Sequence, residues 1–286
     1  MQHYQIPLLF MIAALALSPF AFHVFAYTAP FWLREEAYAY YHIEDTVITF
    51  ENGTLIWYAN GTYGWKCVGI TGNDAILEIL FNLTGRRQYP NETKTTPYAT
   101  TERHMINIDV ETREAYYDDE YLGFLQFWVP ADIESLPYMD PNQLPDWVPK
   151  NTQWRYIENF ASYENVTTYG LVGGSPKFDV ETPYKTFQGD QAFSVFGAFS
   201  ETLGFSILYE RDSGLKIYHS AARDNFLRKV IEVGGYISEC LLEDTNIFFL
   251  PEPDSPLLIL LPYITTTTAL LTATASIYFI KIRKKP

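Results

Sequence analysis

The chain predicts a mainly β fold: an antiparallel meander closing into a sandwich or an open (half) barrel, with one short helix and a C-terminal transmembrane helix. Three observations predict it. Between residues 28 and 250 apolar and polar residues alternate at period two. Turn signals recur about every 8–12 residues, the spacing of an all-β domain. The ends are different: residues 1–27 and 255–280 contain no Asp, Glu, Lys or Arg.

The strands are read in order. Val47–Phe50 and Leu55–Tyr58 flank Asn52-Gly53, the strongest short hairpin signal, because both residues tolerate positive φ. Asn60-Gly61 repeats the signal before Tyr63–Ile70. Gly72-Asn73-Asp74 turns the chain into Ala75–Phe81. His104–Val110 alternates with Ile106, Ile108 and Val110 on one face. Asp118-Asp119-Glu120 reads as a turn between Ala115–Tyr117 and Leu122–Val129. Phe193, Val195 and Phe199 share one face, as do Phe205, Ile207 and Tyr209, and Asp212-Ser213-Gly214 turns into Leu215–His219. Pro130–Pro149 holds five prolines, which cannot donate to a ladder, and is expected to be an irregular excursion, either a binding loop or a plain crossover. For Asp224–Val233 a helix is favoured over a strand, with Asp224 as N-cap and Gly234 just past its end.

The charge distribution orders the chain along a membrane. It carries 34 acids and 20 bases, and four of the bases lie in the last six residues. The body between the apolar ends is therefore strongly acidic, which argues against a nucleic-acid partner. Leu257–Ile280 would form a helix roughly 36 Å long, enough to cross a hydrocarbon core of about 30 Å. Tyr263 and Tyr278 sit near its two interfaces. Lys281, Arg283, Lys284 and Lys285 follow it, so the tail is expected in the cytoplasm and the acidic body outside. Leu8–Leu17 is an apolar run of signal-peptide length, broken by Ser18-Pro19, with Val24-Phe25-Ala26 offering a cleavage site. A cleaved signal and a retained anchor both remain open for it. The expected organisation is residues 1–26 signal or anchor, 27–250 extracellular β domain, 251–256 proline-rich stem, 257–280 span and 281–286 tail.

Five glycosylation sequons begin at Asn52, Asn60, Asn82, Asn91 and Asn165, all in the body and three at or beside turns. Cys67 and Cys240 fall on strands. An extracellular domain permits a disulfide between them, and two buried thiols are the alternative. The body's histidines are His42, His104 and His219. They form no metal spacing, and His104 and His219 read as surface or rim residues. There is no HExxH, CxxC or phosphate loop, and Gly173-Gly174-Ser175-Pro176 lacks the glycine after the serine that a nucleophile elbow requires. No catalytic residue and no cofactor are assigned. The acids at Asp118–Glu120 and at Asp140, Asn142 and Asp146 are of a kind calcium takes, without EF-hand spacing. The 6 Trp, 22 Tyr and 20 Phe are read chiefly as core, with Trp57, Trp65 and Trp128 on strands.

Leu250-Pro251-Glu252-Pro253, the span and the basic cluster form a tripartite tail. It resembles the PEP-CTERM sorting signals of bacteria and their archaeal counterparts, where Pro-Glu-Phe replaces Pro-Glu-Pro. The resemblance covers residues 250–285 only, and Asp254, Ser255 and the threonine-rich span depart from it. It implies recognition at Pro251, Glu252 and Pro253 by a membrane transpeptidase of the exosortase or archaeosortase kind. The layout, with Trp32, Leu33, Tyr38 and Tyr40 opening the body, also looks like archaeal cell-surface proteins. The functional expectation is a membrane-anchored, surface-exposed, glycosylated β domain with a structural or interaction role. The alternative is an extracytoplasmic carrier or sensor for a hydrophobic, lipid or sugar ligand.

Overall fold

The computed structural model describes residues 30–249 except 131, 147, 201–202, 221–223 and 236. The signal-like segment, Pro251-Glu252-Pro253, the 257–280 span and Trp147 thus lie outside the described residues. Among the described residues no helix is long and apolar enough to cross a membrane. Ile247–Phe249 forms a separate 3-10 turn. The body up to Asn246 is one twelve-stranded antiparallel sheet that curls until it nearly closes. The barrel alternative holds, and the sandwich is set aside.

The first six strands run as an up-and-down meander. They are β1 (Tyr38–Thr49), β2 (Leu55–Thr71), β3 (Asp74–Gln88), β4 (Thr96–Asp109), β5 (Glu114–Tyr117) and β6 (Glu120–Phe124). Next come β7 (Arg155–Tyr163), β8 (Val166–Val172) and a small separate ribbon, β9 (Val180–Glu181) with β10 (Thr186–Phe187). β11 (Ala192–Ser200), β12 (Leu203–Glu210), β13 (Lys216–His219) and β14 (Glu239–Thr245) complete the sheet. Its order is β6-β5-β4-β3-β2-β1-β14-β13-β12-β11-β8-β7, so the first and last strands pair in the middle.

The edges β6 and β7 meet through side chains rather than a ladder. Phe124 N donates to Ser162 Oγ at 3.1 Å. β7 carries a bulge between Ile157 and Ala161, with Asn159 at φ 51°. Buried Arg113 donates to the Asn159 and Phe160 carbonyls there, at 3.0 and 3.3 Å. A bulge twists an edge out of ladder pairing, and Arg113 satisfies the carbonyls it frees. Gly123 is needed at this seam. Its φ is +91°, and a Cβ there would lie 2.3 Å from Ser162 Cβ.

Alternation fills the barrel. Ala39, Tyr41 and Ile43 on β1, Tyr63, Trp65 and Cys67 on β2, and Leu77, Ile79, Phe81 and Leu83 on β3 all point inward and are buried. Phe193, Val195, Ile207 and Tyr209 are core as expected; the side chains of Phe199 and Phe205 lie outside the described residues. Two plugs close the ends. At one end Leu125–Val129 is buried and crosses the opening, with Val129 N donating to Gly214 O and Lys216 N to Phe127 O. There Trp32, Trp65 and Trp128 pack ring to ring at 5.5–5.9 Å. At the other end the helix α1 (Asn225–Lys229) stacks Phe226 on Tyr63 at 6.2 Å.

Several sequence expectations change. Asn60-Gly61 is not a turn: it lies inside β2, just past a bulge where Tyr58 has φ 53°. A bulge needs the same permissive residues as a hairpin. β6 stops at Phe124, because Leu125–Val129 leaves the wall to become a plug. α1 keeps Asp224 as its N-cap, through Leu227 N at 2.8 Å, but ends far short of Gly234. Val233 bridges to Phe50, and Gly234 N and Gly235 N both donate to Thr49 O, so β1 captures the chain. Pro130–Pro149 is an irregular strap with two 3-10 turns. Its Met139, Leu144 and Val148 pack on Leu171, Trp154 and Tyr156.

Candidate functional site

The strand directions give the barrel two unlike ends. Residues 30–37 and Asn246 lie at one, called proximal here. Trp32 Nε1 donates to Ser213 O at 2.8 Å in the β12–β13 turn, and Asn246 Nδ2 to Glu36 O at 2.9 Å. At the other, distal end the β1–β2, β3–β4, β5–β6 and β7–β8 tips converge with α1. Arg228 on α1 reaches Glu51 at 2.9 Å and Glu164 at 3.8 Å, and Lys229 reaches Glu120 at 2.7 Å. A Cβ on Gly53 in the first tip would lie 3.2 Å from Pro90 in the second.

The sequons map onto this polarity. Asn52, Asn91 and Asn165 are exposed at three distal tips. Asn60 and Asn82 stand at mid-strand on the outer face, level with Glu44 and with Thr62. No sequon lies at the proximal end. The cysteine pairing expected as one alternative does not form. Cys67 N bonds to Ala37 O, whereas Cys240 faces Ile43. Those β1 positions are six residues apart, about 20 Å along a strand, far beyond disulfide reach, and no disulfide joins the two buried thiols.

Two grooves flank the ends. The proximal cleft, about 590 Å³, lies between the proline strap and the Gly173-Gly174-Ser175 loop. Arg155 and Arg211 point into it, already held by the protein. Arg155 bonds the Glu134 and Leu136 carbonyls, pairs with the Glu134 carboxylate at 3.0 Å, and stacks 4.5 Å from the Tyr138 ring. Arg211 donates to Asp190 O at 3.0 Å and Ser175 Oγ at 2.8 Å. This cleft is polar rather than apolar. The distal groove, about 250 Å³, is lined by Phe50, Asn52, Thr54, Arg87, Tyr89 and Tyr98.

The interior holds a buried polar cluster that sequence reasoning missed. Lys216 places Nζ 4.4 Å from the Tyr41 ring, 5.1 Å from Phe127 and 5.7 Å from Tyr63. Burial lowers its pKa. Asp224 accepts from Tyr63 OH at 2.9 Å, and burial raises its pKa. His219 is buried, not a surface or rim residue. Burial first, and the Lys216 charge second, hold its pKa well below the usual value. The cause is a bulge. Lys216 pairs with Tyr209 and Tyr218 with Leu208, so Ile217 is the extra residue. That puts Lys216 and His219, three apart, both inside. Strict alternation separates them, so no sequence signal marks the pair.

His104 is half-buried at the rim: it contacts Tyr117 OH at 3.2 Å and Glu102 at 3.3 Å and packs edge-on 5.8 Å from Phe226 of α1. Asp118 and Asp119 form the β5–β6 turn with φ 46° and 65°. Asp140 accepts from Asn142 N at 2.9 Å, and Asp146 pairs with Lys150 at 3.0 Å. Among the described residues no three His, Cys, Asp or Glu side chains are grouped to hold a metal. No protein-family model matches this chain, nor does any curated protein or solved structure compared with it.

Proposed function

We propose that this chain is a single-pass, membrane-anchored surface glycoprotein whose barrel has a structural or interaction role at the cell envelope. The observation that carries the reading is the polarity of the body. The chain enters and leaves the barrel at the proximal end, and all five sequons stand at mid-height or on the distal tips. An anchor at 257–280 with a cytoplasmic basic tail would place the acidic body outside and its glycans away from the lipid. The many large side chains buried inside the described strands, and the segments that plug both ends, favour a display body over a container. Pro251, Glu252 and Pro253 would be the residues read by a sorting transpeptidase.

The carrier or sensor reading has one observation in its favour, the proximal cleft. Its paired arginines and the Tyr138 and Trp154 rings suit a polar ligand such as a sugar better than an acyl chain. The test of the main reading is fractionation. The full chain is expected in salt-washed membranes and open to protease on intact cells, and a chain lacking Leu257–Pro286 is expected in the soluble fraction. A truncated chain that stays in salt-washed membranes would mean that the N-terminal segment is the anchor. A full chain found in the cytosol would end the proposal.

A further inference from the structure

We propose that the distal groove is the cradle for a glycan carried by Asn52 itself, its first sugar seated on the Phe50, Tyr89 and Tyr98 rings. The inference rests on the glycoprotein reading and adds a single acceptor and a built seat.

Three independent features converge there. First, the acceptor lines the groove with the residues two before and two after it, Phe50 and Thr54, so a substituent on Asn52 grows directly over the rings. Asn52 Oδ1 accepts from Thr54 N at 2.9 Å. That bond holds the side chain by its oxygen and leaves Nδ2, the atom an N-glycan takes, without a protein partner among the described residues. Glycosylation keeps the bond.

Second, the walls suit a sugar. Phe50 and Tyr98 meet edge to face at 6.4 Å, and Tyr89 is 43% exposed. The C–H face of a pyranose packs on such rings, and its hydroxyls face the polar rim. The volume falls below the ~300–1,000 Å³ of pockets that enclose a drug-sized molecule. That scale fits the first residue of a tethered chain rather than a free ligand.

Third, a buried donor waits in the wall. Arg87 stacks between Tyr89 and Tyr98, 4.8 and 5.4 Å from their centroids, and its buried Nε has no protein acceptor. Buried donors are nearly always satisfied; Arg87 lines the groove, and a small shift of its side chain as the sugar seats would bring this donor to a hydroxyl. The Asn91 acceptor is close, but it projects from an exposed loop with φ 66° and does not line the groove.

The experiment uses the full chain made in a host that N-glycosylates Asn-X-Thr. Glycopeptide mapping first reads occupancy. Hydroxyl-radical footprinting of Phe50, Tyr89 and Tyr98 then compares the glycosylated chain with Asn52→Asp and Asn91→Asp. Aspartate keeps the oxygen that holds the turn, so Asn52→Asp folds while losing the sequon. Occupancy at Asn52 is expected, with severalfold more ring oxidation in Asn52→Asp and a Tm lower by about 2–4 °C for a body this size. Asn91→Asp should change neither. Equal oxidation in Asn52→Asp and the glycosylated chain overturns the cradle, as does an empty Asn52 beside occupied sequons, while the glycoprotein reading stands. No occupied sequon overturns both.

Discussion

Replacing Lys216 by methionine should make this protein more stable. Lys216 is 2% exposed, and among the described residues no carboxylate comes within 4.0 Å of its Nζ. Its compensation is three ring faces, at 4.4, 5.1 and 5.7 Å, and the longer-range attraction of Cys240 and Asp224. Cation–π contacts supply about 2 kcal/mol when desolvated, whereas taking an ammonium out of water costs several kcal/mol. Desolvation wins, which is why the folded pKa lies below its ordinary value. Methionine keeps the length and apolar stem and removes the charge. Lys216→Met should therefore gain stability, on the order of 1–2 kcal/mol once the ring and Asp224 attraction is set against the desolvation cost, with roughly 2–4 °C in Tm for each kcal/mol. The pH profile separates this cause from better packing. A base with a depressed folded pKa holds fewer protons in the native than in the unfolded state. Wild-type stability should thus rise with pH toward 10.5, and the variant should lack that component. Melts between pH 7 and 9.5 stay below the buried tyrosines, whose pKa values are raised. A variant that melts lower at pH 7.5, or keeps the wild-type slope, would refute the argument and make the ring cage a net stabiliser.

Three further outcomes are expected. Gly123→Ala forces a Cβ within 2.3 Å of Ser162 and a side chain onto φ +91°. It should cost about 2–4 kcal/mol by strain and overpacking, read as a lower urea midpoint with an unchanged m-value. His219 is kept neutral by burial, so its contribution is complete above pH 6.5 and shrinks as pH falls toward the lower folded pKa, by up to about 1.4 kcal/mol per pH unit. Asp224, with a raised pKa, works in the opposite sense between 3.8 and its folded value, so melts from pH 7.5 to 5.0 should be compared with His219→Gln, which should flatten the fall. Thiol titration without reductant should find Cys67 and Cys240 both reactive after denaturation, and neither before; a missing pair of thiols would contradict the strand register.

What the sequence made legible was local. Alternation over 104–110 marks Ile106, Ile108 and Val110, all buried, because β4 is half-buried and free of bulges over that run. Asn52-Gly53 marks a hairpin since Gly53 sits at φ +81°, and Asp224 marks a helix start since it caps Leu227 N. Bulges defeat the same reasoning. Each adds a residue, flips the faces beyond it and uses the turn residues that alternation treats as strand ends. The insertion of Ile217 hid the Lys216–His219 pair, and the β2 bulge disguised Asn60-Gly61. Of the groove residues only Phe50, as a strand end, and Asn52, as a turn and sequon, carried a sequence signal; Phe50 with Thr54 and Arg87 with Tyr98 come from different hairpins, and only the up-and-down order brings the tips together. The sequons were legible one by one, and their placement away from the proximal end was not.

The way the chain leaves the barrel bears on the proposed anchoring. β14 precedes the tail, and it is no edge strand: β1 pairs with one side and β13 with the other. Its end is fixed further by Thr245 Oγ1 donating to Tyr38 O at 2.6 Å and by Asn246 Oδ1 accepting from Tyr38 N at 3.1 Å. A tether attached to an edge strand would load one ladder, and peeling it would expose unpaired backbone of the kind that templates aggregation. A tether on β14 loads two ladders and the Tyr38 contacts together. The edges that do exist, β6 and β7, stand at the two ends of the sheet order, several strands from β14 on either side, and are bridged by Arg113 and Ser162. Under the proposed anchoring, tension on the tail would therefore fall on the doubly paired strands, away from the seam.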